Sequence, residues 1–331
     1  MQNITEMNDL RYSVAIRTLG KGADKYEKEL ISIFKQSIQP EKVIVYIAEG
    51  YMIPDVRIGK EQYVFVKKGM VAQRALDYTE IDTPYILLLD DDVYLPENAV
   101  EIMAKELIDN DADVVAADTF HPQTNTFLDV VRDWLSNMTY PHFSDKWAFK
   151  VLRNASCSYN AHPSKSAYLS QSAAGPASLW KKDALLSIHF TDELWLDNMG
   201  FAWGDDQLMF YKAYLNGFKL IVSYDCGIIH LNAKTASSVK DVSTDRWMKR
   251  AMCQYLLWYR SCYSVNGFSR MEKCLRMLSF AFKEMEGFFV HLCYSMIKLR
   301  PSFIFAYLKG IWQGYKYART YLKNIPNFVI Q

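Results

Sequence analysis

Along the first 120 residues one pattern recurs: a short apolar run, a turn, then apolar residues at helical spacing. Ser13-Val-Ala-Ile-Arg17-Thr-Leu19 alternates and favours extended backbone, which predicts the first strand. Gly20-Lys21-Gly22 follows as a turn. Leu30, Ile31, Ile33 and Phe34 then give one apolar face to a helix over 25–37, which Pro40 stops. Residues 43–47 and 63–66 read as the second and third strands, and 69–78 as a second helix. The uncharged run 85–89 predicts a strand buried on both faces, followed by a helix over 97–107 and a strand over 113–117. Strands alternating with helices argue for a mostly parallel sheet with helices on its faces.

Between about 120 and 172 the periodicity is lost, and aromatics, Ser and Asn accumulate. Such a stretch is more often functional than accidental. Small residues over 173–178 allow close backbone approach, and 180–188 reads as a helix. Asp205 and Asp206 open a helix that runs to Leu215 and is capped by Gly217; residues 219–224 form a strand leading to Ile228-Ile-His230. Beyond about Arg246 the segments 246–263, 272–299 and 302–323 look helical, aromatic and basic. In the last, Phe303, Ile304, Tyr307, Leu308, Ile311, Trp312 and Tyr315 fall at helical spacings, interrupted by Lys309, Lys316, Arg319 and Lys323. That suits a helix lying in a membrane interface with basic groups toward lipid phosphates, or a helical subdomain packed on the core or forming an oligomer interface.

Charge sharpens the division. The net charge of +1 conceals 14 basic and 3 acidic residues from Arg246 onward, against 24 basic and 34 acidic before it. The expectation is an acidic working domain over 1–245 and a basic helical region over 246–331 that meets anionic lipid. A nucleic-acid partner is disfavoured, because the basic residues are dispersed among apolar ones and the acidic part would repel a phosphate backbone. No secretory leader is read in residues 1–10 and no apolar window is long enough to span a membrane. The six cysteines show no metal-finger spacing, so a reducing, cytoplasmic setting at the inner face of a membrane is expected.

The chemistry concentrates at Asp90-Asp91-Asp92, directly after the apolar strand. In open α/β sheets ligands bind at the carboxyl ends of the strands. Three adjacent carboxylates repel one another unless a cation is shared among them. Together with His230 they suit Mn²⁺ or Mg²⁺, which would neutralise a diphosphate leaving group, while the second acidic pair supplies a general base.

At this point the chain resembles the inverting family 2 glycosyltransferases, from about Ser13 to Thr235. Leu89-Asp-Asp-Asp92 stands where the family has Asp-x-Asp, Gly204-Asp205-Asp206 where it commonly has Gly-Glu-Asp, Ala174-Gly175-Pro176 at the donor-sugar segment, and Ile229-His230 at the late metal-binding histidine. The resemblance implies a GT-A-type nucleotide-binding α/β/α sandwich with a mostly parallel central sheet, here followed by a helical region. It further implies transfer of a sugar from a nucleotide-sugar donor, UDP-linked by expectation, to a saccharide or lipid-linked hydroxyl in cell-surface polysaccharide synthesis. Carried over by position, Asp206 is the base and Asp205 orients it. Asp90 faces the nucleoside, Asp91 and Asp92 are the candidates for metal and diphosphate, Gly175 lies beside the donor sugar, and His230 is a metal ligand. The triplet leaves the register of the metal carboxylate open by one residue. Two strand ends depart from the family: Arg17-Thr18-Leu19 replaces Pro-Thr and an Asn, and Ala48-Glu49-Gly50-Tyr51 replaces Asp-Asp-Gly-Ser. Arg17 is then a candidate for phosphate and Glu49 for the nucleobase. The alternatives are a nucleotidyltransferase, with Gly20-Lys21-Gly22 as a thin phosphate loop, and a non-catalytic saccharide-binding protein at a membrane. A dinucleotide-dependent dehydrogenase is disfavoured because no GxGxxG follows the first strand.

Overall fold

A computed structural model describes residues 10–120, 139–141, 146–200, 203–231 and 243–331. Residues 1–9, on which the reading of no leader mostly rests, lie outside these, as does much of the irregular stretch.

The strands are β1 (Tyr12–Thr18), β2 (Val43–Ala48), β3 (Glu61–Val66), β4 (Tyr85–Asp90), β5 (Val93–Tyr94), β6 (Val114–Ala117), β7 (Thr139–Pro141), β8 (Phe149–Val151), β9 (Cys157–Tyr159) and β10 (Ala167–Leu169). After them come β11 (Ala177–Lys181), β12 (Leu220–Ser223), β13 (Ile229–His230), β14 (Val265–Asn266) and β15 (Phe328–Val329). Eight form the central sheet in the order β10-β12-β6-β11-β4-β1-β2-β3. Six of these, β1, β2, β3, β4, β6 and β12, run one way, and β11 and β10 run against them. The mostly parallel sheet expected from the alternating pattern is present.

Its strands are apolar on both faces because both are covered. Val14, Ile16, Val45, Leu87 and Leu89 pack on one side with Leu30 of α1 (Asp24–Ile33) and Met103 of α2 (Ala99–Asp109). Ala15, Ile44, Tyr46, Ile86 and Leu88 pack on the other with Leu208 and Phe210 of α4 (Asp205–Leu215), which follows the short α3 (Lys182–Ser187). The same second core takes in Cys253, Leu256 and Leu257 of α5 (Thr244–Trp258), Phe280 of α6 (Arg270–Ile297) and Ala318 of α7 (Ser302–Thr320). The C-terminal helices therefore share the core of the sheet.

Three expected elements differ. The first helix stops at Ile33, short of 37. Residues 69–78 form successive turns, with no helix. The Asp197 carboxylate accepts the Val71 and Ala72 N–H groups at 2.8 and 3.0 Å, and Tyr78 closes the segment at φ 51, where a helix cannot continue. Residues 180–181 belong to β11, which runs antiparallel between β4 and β6, so the helix there spans only Lys182–Ser187. Trp180 is wholly buried and stacks on Phe210 with centroids 5.5 Å apart, a tertiary gain that overrides local helical preference. Of the 302–323 stripe, Phe303, Ile304 and Tyr307 are buried inside the protein, leaving Leu308 and Trp312 outside, with Phe305 exposed beside them.

Candidate active site

The parallel strands bring their carboxyl ends to one edge, and the charged residues gather there. Arg17 on β1 lies directly opposite Asp90 on β4 in the sheet register. The guanidinium grips the Asp90 carboxylate in a fork, its Nη2 3.1 Å from Oδ2 and its Nε closing the second contact. Bidentate charge-assisted pairing of this kind fixes both planes. The same guanidinium donates to Met70 O at 3.3 Å and to Asp205 Oδ2 at 3.4 Å.

A second cation completes the cluster. Arg74, almost fully buried, contacts Asp206 through Nη1 and donates to Gly175 O at 3.2 Å. It also lies 3.4 Å from Asp205 and 3.7 Å from Asp90. Two guanidiniums thus hold three carboxylates drawn from β4 and the first turn of α4. Sequence reasoning missed Arg74, whose stretch reads as a plain helix; its only signal is a lone basic residue in an otherwise apolar run. Gly175 is needed for the close approach: a Cβ there would fall on the Asp206 carboxylate and the Arg74 guanidinium. Gly204, at φ +86, opens α4, and a Cβ there would meet the Leu257 side chain.

The triplet divides its contacts three ways. Asp90 goes to the arginines. Asp91, buried, accepts from the Thr18 hydroxyl, which in turn accepts the Gly20 N–H at 2.7 Å. Asp92 pairs with His230 Nε2 at 3.0 Å, positioned by antiparallel pairing of β5 with β13. Leu231 N–H donates to Asp92 O at 2.7 Å, and Lys25 Nζ donates to Leu231 O at 2.6 Å. Among the described residues no three His, Cys, Asp or Glu side chains gather closely enough to hold an ion by themselves. Asp92 and His230 would supply two adjacent ligands, while one Asp91 oxygen is taken by Thr18. A pair of that kind fits Mg²⁺ or Mn²⁺, since such ions keep waters and draw further oxygens from substrate phosphates. Glu49 is exposed at the end of β2, on the same edge of the sheet.

The electrostatics follow from burial and pairing. Burial works against an ionised Asp90, but the Arg17 and Arg74 charges overcome it and hold its carboxyl below the ordinary range. Burial pushes Asp91 up to about 6; the Thr18 hydrogen bond opposes this, and the flanking Asp90 and Asp92 add to it. Asp206 is likewise raised to about 6 by burial, with Arg74 opposing and Asp205 assisting. Its side chain keeps 35% of its surface accessible, so a substrate can reach it. The Asp92 hydrogen bond raises His230. Glu29 of α1 is fully buried behind the triplet, where burial and then Asp91 drive it far above the carboxylate range; in its neutral form it adds no fourth charge.

Residues 61–161 match the family model described as glycosyl transferase family 2. That segment contains the acidic triplet and Arg74, while Arg17, Gly175, the Asp205–Asp206 pair and His230 lie outside it. No curated protein sequence matches the chain. Among solved structures it is similar to that of S. aureus TarS 1-349 in complex with UDP-GlcNAc, with TM-score 0.49 and 13% identity, over 94% of this chain and 93% of that one. It is also similar to another S. aureus TarS structure, with TM-score 0.49 and 14% identity, over 82% of this chain and 43% of that one. Similarities this distant assign no role to any residue.

Proposed function

We propose that this chain, whose residues 61–161 match the family 2 glycosyltransferase model, moves a sugar from a nucleotide-sugar donor to an acceptor hydroxyl with inversion at the anomeric carbon. The observation that carries the reading is the convergence of Asp90, Asp205 and Asp206 on Arg17 and Arg74 at the carboxyl edge of the sheet, with Asp92 and His230 paired nearby. The expected donor is UDP-linked.

In this reading Asp206 takes the proton of the acceptor hydroxyl. The oxygen forms its bond to the anomeric carbon as the bond to the diphosphate breaks, and the nucleoside diphosphate leaves with the electron pair. A base whose pKa lies near 6 is ionised at neutral pH yet still basic enough to assist a poor nucleophile. Arg74 and Asp205 are positioning residues that fix the carboxylate. Gly175 lets the Asp206 carboxylate and the Arg74 guanidinium approach the backbone beside the donor-sugar position, and Asp90 with Arg17 and Glu49 lines the nucleotide side. Asp92 and His230 would hold Mn²⁺ or Mg²⁺, with Asp91 bracing the turn through Thr18. Such an ion supplies neutralisation of the departing diphosphate.

The acceptor is a saccharide or lipid-linked hydroxyl, reached at a membrane surface through α7. Phe305, Leu308 and Trp312 are exposed there beside Lys309, Lys316 and Arg319, and Lys316 lies 5.7 Å from the Trp312 ring centre. Among the described residues no helix is long and apolar enough to cross a membrane.

The deciding experiment is calorimetric titration of UDP, GDP and CDP with and without Mn²⁺, on wild type and Asp92→Asn. Binding of one nucleotide only with metal, lost in the variant, is expected, and a panel of its sugars then identifies the donor. Binding of no diphosphate under either condition would overturn the reading.

A further inference from the structure

The long helix α6 is built the wrong way round for a helix that only packs on its own protein. The residues it buries include Arg276, Lys283 and Gly287 beside Phe280, while most of its large apolar residues point to solvent. Met271, Leu275, Leu278, Phe282, Met285 and Phe289 are all exposed, from 38% for Leu275 to 73% for Met271, and Met296 continues the row at 58%. The steps between them alternate four and three residues; the one remaining place in the row is Leu292, half-buried against Ala251, Ile304 and Tyr307. This is a repeat of 3.5 residues held over 25 residues, or about 37 Å of helix.

A strict 3.5-residue repeat makes a narrow seam that another helix fills by knobs-into-holes packing. A helix lying on lipid carries instead a broad apolar face with Lys and Arg along its borders. The borders of this seam are Glu272, Ser279, Glu286 and Cys293 on one side, and Cys274, Ala281, Phe288 and Ser295 on the other. None is basic, two are acidic, and several are small enough to let a second backbone approach. α7 differs on this point, since its exposed apolar residues stand beside lysines.

We infer that α6 is a dimerisation helix, paired along this seam with α6 of a second copy of the chain. A two-fold dimer needs one self-complementary patch, and a row of Met, Leu and Phe at alternating spacing complements itself. Seven side chains of roughly 150–200 Å² each, a little over half exposed, offer on the order of 600–800 Å² per chain, against the roughly 800 Å² per partner of a standard interface. The inference is independent of the glycosyl-transfer reading, since it uses none of the site residues.

The test is the solution mass of the full chain by light scattering and sedimentation at micromolar concentration. Wild type is expected at twice the chain mass and Phe282→Glu at the chain mass, with unchanged circular dichroism. Trp312→Glu on α7 should remain dimeric. A wild type at the chain mass would overturn the inference, as would a dimer unaffected by Phe282→Glu. A monomer that binds phosphatidylglycerol vesicles through α6, losing them in Phe282→Glu, would assign the seam to lipid instead.

Discussion

Asp206 is the residue on which the proposed chemistry turns, and its surroundings set two measurable expectations. Asp206→Asn keeps the size and polarity of the side chain but removes the base, so donor binding should persist while turnover falls by about 10²–10⁴. Near-normal turnover would place the base elsewhere. The sign of the pH dependence follows from the raised pKa of about 6: the ionised form is the working one, so the rate should fall below about pH 6 and level off above it. Arg74 pulls that pKa down from where burial alone would put it. In Arg74→Gln the acid limb should therefore move to higher pH as well as to lower rates. A limb that stays in place would mean Arg74 does not face the group titrating in the rate. These residues were unevenly legible. The acidic positions stood out as clusters after a strand and at a helix start. Arg74 did not, because a buried cation is identified by what folds around it.

At the scale of elements, two of the three that failed to follow local sequence help build the site. The 69–78 turns carry Arg74 inward because Asp197, far along the chain, takes the Val71 and Ala72 N–H groups. Strand β11 takes the first two residues of the expected 180–188 helix because two neighbouring strands satisfy its backbone, and Gly175, just before it, lies against Asp206. Pattern reasoning recovered the strands with a strict apolar code, since burial on both faces leaves little freedom. It could not see the pairing that turns a helix-prone run into a strand. The start of α4 makes the test. Gly204 sits at φ +86, and a Cβ there would run into the Leu257 side chain. Gly204→Ala should lose about 1–2 kcal/mol from the left-handed backbone alone. Overpacking against Leu257 adds to this. Chemical denaturation should register that loss, and turnover should drop with it because Asp205 and Asp206 begin the same helix. A variant as stable as wild type would show that the turn can reshape without disturbing the pair.

For the whole molecule, charge and composition suggested a working domain followed by an appendage, but the packing ties the two into one core. Glu193 is fully buried and receives Arg260 in a fork at 2.9 and 2.7 Å, Lys212 Nζ at 3.3 Å and Trp195 Nε1 at 2.8 Å. Arg260 sits in a widened turn after α5, where Ser264 N–H reaches back to Tyr259 O at 2.7 Å. The Phe328 ring of β15, near the end of the chain, lies 4.5 Å from the Arg260 guanidinium and 5.5 Å from Lys212 Nζ. Cutting after Pro301 removes α7 and Phe328, so it would unsettle the core rather than merely detach a membrane anchor. Charge reversal at Lys309, Lys316 and Lys323, all exposed, is the cleaner probe of lipid binding; it should abolish sedimentation with anionic vesicles while leaving stability unchanged. Breaking the buried pair probes unity directly. Arg260→Ala removes the fork from the buried Glu193 carboxylate, leaving it Lys212 and Trp195, and should cost up to about 3–5 kcal/mol. That is a large share of the roughly 5–15 kcal/mol by which domains are stable. Wild type should unfold in one calorimetric transition and Arg260→Ala in one transition at lower temperature. Two transitions, with only the second half of the chain responding to the substitution, would show that 246–331 folds by itself and that the shared core is not what holds it in place.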